Sequence, residues 1–135
     1  MSDIVELVSF PPHDGIVKMV QLLLGEKRDR RIIVFGNTYL ASDSEGLSET
    51  HSMILMDYLD AQGIHWEPKD PAFRFSDPES RGKEYFLSGA GKAQISYDEK
   101  KISLYSHSIG YRLKPDSRNY EGLSTDFLGW SLFVR

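Results

Sequence analysis

Lys92-Ala93-Gln94-Ile95-Ser96-Tyr97 and Lys101-Ile102-Ser103-Leu104-Tyr105-Ser106, joined by Asp98-Glu99-Lys100, decide the class of the fold. In both runs apolar and polar residues alternate with a period of two, which gives a strand one buried face and one wet face. The three charged residues between them turn the chain back, so the stretch predicts an antiparallel hairpin.

Upstream, Glu84 to Leu87 reads as a strand, and Ser88-Gly89-Ala90-Gly91 as a loop between it and the hairpin. Residues 68–83 hold Pro68, Pro71 and Pro78 among many charges and read as an exposed loop, entered from a strand that starts at Ile64-His65-Trp66. Ile54, Leu55, Tyr58 and Leu59 recur at helical spacing. Ser48 is placed to cap that helix, Glu49 meets the positive end of its dipole, and Gly63 suits the residue after its end. The spacing predicts a helix over 49–62, with His51 in its first turn on the apolar face. Earlier still, the aliphatic runs Ile16 to Leu24 and Arg31 to Phe35 flank a charged turn and predict a second hairpin. Residues 4–9 are mostly apolar and stop at Pro11-Pro12-His13-Asp14-Gly15. Downstream, Pro115-Asp116-Ser117 predicts a short second helix ending near Gly122, and residues 130–134 a last strand. This order predicts an α/β (α+β) fold: a mixed, mainly antiparallel sheet with two helices packed on it, as a single domain over residues 1–135.

The 135 residues suit one core, and 40% hydrophobic with 27% charged residues is ordinary for a globular chain. A net charge of −4 argues against a protein that grips nucleic acid by charge. The absence of cysteine excludes disulfides, thiolate nucleophiles and cysteine metal sites. No cationic region leads an apolar run at Met1-Ser2-Asp3-Ile4, and Leu22-Leu23-Leu24 is far too short to span a bilayer, so a cytoplasmic protein without a membrane segment is expected.

Four features carry candidate chemistry. His51 sits at a helix start, where the dipole favours neutral imidazole, a form able to act as base or nucleophile, and where phosphate is attracted. The alternative for His51 is a packing residue on the apolar face. Ser108-Ile109-Gly110 follows a strand, and successive amides in such a turn can form an anion-binding nest, although an ordinary strand-end turn is commoner. Gly89-Ala90-Gly91-Lys92 lacks the spacing and following helix of a nucleotide-binding loop, which leaves Lys92 as a simple cation for an anion. Lys18 is the lone charge in its aliphatic strand and faces either solvent or a site. His13, His51, His65 and His107 have no metal-ligand spacing, so no metal is expected. No G-x-S-x-G elbow is present.

Several of these features fall into one pattern. The chain resembles the small protein-histidine phosphatases of the Janus/Ocnus family. The likeness rests on Asp14-Gly15-Ile16-Val17-Lys18-Met19-Val20, on Thr50-His51-Ser52-Met53-Ile54, on Gly89-Ala90-Gly91-Lys92 and on the run Asp98 to Tyr111, in that order and at similar spacing. The resemblance implies a six-stranded mixed sheet flanked by two helices. It also implies hydrolysis of phosphohistidine in proteins without metal or cofactor. By that likeness His51 is the essential histidine, Lys18 lies beside the phosphate, and Lys92 stands where the family has a phosphate-binding arginine. Ser108 and Gly110 match positions whose amides hold phosphate, with Ile109 between them. Phosphohistidine proteins or small phosphoramidates are the expected substrates. A phosphate or sulfate ion is expected to settle in the site, and the protein is expected to be a monomer. The chain departs from the pattern at Lys92, which loses the bidentate clamp of arginine, at His107 in place of tyrosine and at Arg112 in place of glycine. A non-catalytic phosphate- or phosphopeptide-binding module on the same scaffold is the second reading.

Overall fold

The computed structural model describes residues 4–24, 30–40, 50–63, 74–76, 84–108, 111–117 and 122–135. In chain order the strands are β1 (Val5–Val8), β2 (Gly15–Leu24), β3 (Arg30–Phe35), β4 (Arg74–Ser76), β5 (Glu84–Ser96), β6 (Lys101–Tyr105) and β7 (Ser131–Val134), with helix α1 (His51–Ala61) between β3 and β4. They form one sheet ordered β1-β3-β2-β5-β6-β7, with the short β4 also paired to β5. The two sequence hairpins are its antiparallel centre: β2 pairs with β3, and β5 with β6. β2 and β5 join the hairpins along nearly their whole lengths. The outer strands run parallel to their neighbours, β1 to β3 and β7 to β6. The sheet is thus mixed and mainly antiparallel, with the six expected strands in its main order and the short β4 added beside β5.

Pleat alternation sorts the aliphatic residues onto two faces. Val17 and Met19 of β2 join Ile33, Phe35, Ala93, Ile95, Ile102 and Leu104 on one face. The sheet curls around this cluster. Val5 bridges to Leu123, its amide donating to Gly122 O at 2.9 Å and its carbonyl accepting from Ser124 N at 3.0 Å. Phe10 plugs the end of the curl, its ring edge-on to Phe35, Phe127 and Trp130 at 5.3, 4.8 and 5.4 Å. On the outer face, Ile54, Leu55, Tyr58 and Leu59 of α1 pack on Val20, Leu22, Ile32, Val34, Leu87 and Ala90. Helical spacing therefore identified the buried stripe correctly.

Thr50 caps α1, its Oγ1 accepting from Met53 N at 3.2 Å. Ser48, expected in that role, lies outside the described residues. Thr50→Ala is expected to cost about 1 kcal/mol, read as a lower urea midpoint at unchanged slope. Restoration by Thr50→Ser identifies the cap as the cause. Gly63 follows the helix with φ of +72°, the left-handed conformation foreseen for it.

Four expectations are corrected. Ser88 to Gly91 is not a loop but the middle of β5, where a bulge slips the register from Gln21–Gly89 to Leu22–Leu87 and leaves Ser88 as the extra residue. Within the expected loop at 68–83, residues Arg74–Ser76 form β4, and the rest lies outside the described residues, as does the strand expected from Ile64. Pro115 to Ser117, the start of the expected second helix, is not helical, and its continuation at 118–121 lies outside the described residues. The Gln21 side chain takes both backbone groups of Asp116, donating to its carbonyl at 2.9 Å and accepting from its amide at 2.8 Å, so neither serves a helical bond. Among the described residues α1 is the one α-helix, joined only by a 3₁₀ turn at Thr125–Phe127.

Candidate functional site

The pairing of β2 with β5 sets Lys18 directly opposite Lys92. Facing residues of an antiparallel pair lie on the same side of the sheet with Cβ atoms about 5 Å apart. Val20 and Leu22 put the even positions of β2 under α1, so both lysines emerge on the helix side. They are 7% and 5% exposed. Two like charges on facing positions repel each other, and an anion between them offsets that repulsion. Lys18 makes no hydrogen bond or ion pair with the described residues.

His51 opens α1 above this pair. Its side chain is buried, with Nε2 2.8 Å from Gly91 O, the carbonyl just before Lys92. A carbonyl only accepts, so Nε2 donates, and in the neutral ring the lone pair is on Nδ1. The first amides of a helix have no carbonyl partner within it and present partial positive charge. Among the described residues the first turn of α1 has no acidic side chain; Glu49, expected to meet that charge, lies outside them. The fold thus places His51, at the start of α1, on the same side of the sheet as Lys18 and Lys92, its ring anchored on the carbonyl before Lys92. Groups of these kinds can hold a phosphoryl group.

Ser108 lies three residues past Tyr105, the β6 partner of Lys92, and is buried. Its amide is not open to phosphate as the sequence implied: it donates to Leu113 O at 2.7 Å, closing a small turn. Its Oγ accepts from Tyr111 N at 3.4 Å, so the hydroxyl hydrogen is what Ser108 has to offer an anion. Ile109 and Gly110, expected to supply phosphate-binding amides, lie outside the described residues. His107 lines an open depression on this turn with Ser108, Arg112, Leu113 and Lys114. Burial raises the Tyr111 phenol above its ordinary pKa, which keeps it protonated at neutral pH.

Gly91 is the site residue that sequence reasoning passed over: read as part of a loop, it lies in β5, and its carbonyl accepts from the histidine. The available signal was a glycine within a strand-like run, which marks a close backbone approach.

No protein-family model matches the chain, and no curated protein matches it. Among the described residues, no group of histidine, aspartate and glutamate side chains is placed to hold a metal ion. No helix there is long and apolar enough to cross a membrane.

Proposed function

We propose that the protein is a protein-histidine phosphatase that hydrolyses phosphohistidine without a metal, with His51 at its centre. The observation that carries this reading is the register of Lys18 with Lys92 beneath the Nε2-anchored ring of His51. Hydrolysis forms a P–O bond to water and breaks the P–N bond to the substrate imidazole, which leaves with a proton. The imidazole of His51 serves either of two routes. It attacks phosphorus to form a phosphohistidine intermediate that water then cleaves, or it takes a proton from the attacking water. Lys18 and Lys92 neutralise phosphoryl oxygens, and the helix N-terminus adds to the same field. The test is release of inorganic phosphate from phosphohistidine, free and in a phosphorylated protein, with chelator present. Activity that requires added metal, or none at all, overturns the catalytic reading. The lysine pair alone favours a phosphate-binding module as the second reading, since it needs no histidine.

The lysine pair makes a prediction of its own. Inorganic phosphate is expected to raise the melting temperature of the wild type. Lys18→Met, which removes one of the two facing charges, is expected to lose the phosphate shift. A shift retained in that variant places the anion elsewhere.

A further inference from the structure

The outer face of the sheet extends beyond the helix. α1 packs over β2 and β3. The same face of β5, β6 and β7 carries Gln94, Phe133 and Arg135, which are exposed, and Tyr105, which is half-buried. Register aligns them. Lys92 faces Lys18 on one side and Tyr105 on the other. Arg135 follows Val134, the partner of Leu104, and its amide donates to Leu104 O at 2.9 Å. Lys18, Lys92, Tyr105 and Arg135 therefore stand in one row across four strands, each step about 4.8 Å.

The Arg135 guanidinium is held in place on this row. Its Nε donates to Ser103 Oγ at 2.6 Å, Nη2 donates to Gln94 Oε1, and its carbon lies 4.4 Å from the centre of the Tyr105 ring. All three partners are uncharged. Nη1 makes no hydrogen bond or ion pair among the described residues. An arginine fixed this way has little rotamer freedom left to lose when it meets a carboxylate.

We infer that Arg135 is a specificity residue: the shelf from Lys92 to Arg135 takes the polypeptide beside the phosphohistidine, and Arg135 receives an acidic side chain of that polypeptide. This rests on the phosphohistidine reading of the site. Arg135 lies two strands from Lys92, about 10 Å, which an extended peptide covers in about three residues. The acidic residue thus belongs about three positions from the phosphohistidine.

The test uses peptides carrying a non-hydrolysable phosphonate analogue of phosphohistidine, with either Glu or Gln three residues to each side, titrated into the full chain. Wild type is expected to bind the Glu peptide about tenfold more tightly, the size of one charge-assisted fork. Arg135→Gln is expected to bring the ratio close to one, and Arg135→Lys to keep part of it. Equal binding of the two peptides by wild type overturns the inference while leaving the phosphatase reading intact. So does a ratio that Arg135→Gln leaves unchanged, or an equal weakening of both peptides, which makes Arg135 a prop for Ser103 and Gln94 only. Binding of neither peptide overturns the phosphohistidine reading along with it.

Discussion

His51→Ala is expected to lower phosphohistidine turnover by at least about 10³-fold, the scale on which a base or nucleophile contributes. The variant also takes away a structural partner. Gly91 O is buried and accepts from the imidazole. Loss of that donor is expected to cost about 2 kcal/mol of stability, so the alanine variant alone confuses chemistry with folding. His51→Gln separates them. A glutamine amide can donate to the same carbonyl but offers no basic nitrogen. The glutamine variant is therefore expected to recover most of the stability in urea titrations and none of the turnover. Recovered turnover in His51→Gln removes the imidazole from the mechanism. Unchanged turnover in both variants removes the residue altogether.

Gly91→Ala is expected to destabilise the fold by about 3 kcal/mol, near the upper end of the usual overpacking range. A methyl group there runs into the backbone carbonyl of Tyr105 and comes within 3.0 Å of Pro115 Cγ. A carbonyl held in a strand cannot swing aside like a long side chain, so β5 and β6 must part or the 113–116 segment must lift. Either movement shifts the carbonyl that anchors His51 and the backbone that carries Lys92. Phosphate affinity is expected to fall along with stability. Gly122→Ala is the control, since a methyl there meets nothing within 4 Å. Its effect is expected to stay within about 0.5 kcal/mol. Equal midpoints for the two variants in denaturant titrations count against the close approach at Gly91.

The sequence was most readable where the information is local. The alternation at 92–106 and the aliphatic runs at 16–24 and 31–35 specify hairpins, because each pairs with its neighbour in the chain. The stripe Ile54, Leu55, Tyr58, Leu59 specifies a helix for the same reason. What failed was decided from a distance. Pro115-Asp116-Ser117 looks like a helix start, yet Gln21, 95 residues earlier, claims both backbone groups of Asp116. Gly89 and Gly91 look like a loop, because a loop and a close crossing of chains both call for glycine. The parallel pairing of β1 with β3 and of β7 with β6 has no local signal at all. The site divides the same way. His51 was legible from its place in a helix turn, and Lys18 as a charge among aliphatics, but that Lys18 faces Lys92 is a fact of register between strands 74 residues apart. Arg135 was not singled out, since nothing near it in the sequence links it to Tyr105.

The seam at Val5 has a kinetic meaning. It joins the first described strand to Gly122, Leu123 and Ser124, so the curl cannot close until that distant segment is available. Contacts between such distant segments are slow to form, because loop-closure entropy is lost before the contact returns anything. During synthesis β1 has to wait with the Val5 amide and carbonyl unmatched while the two hairpins and the helix assemble beside it. Closure of the seam is therefore expected late in folding, and it covers the inner face near Phe10.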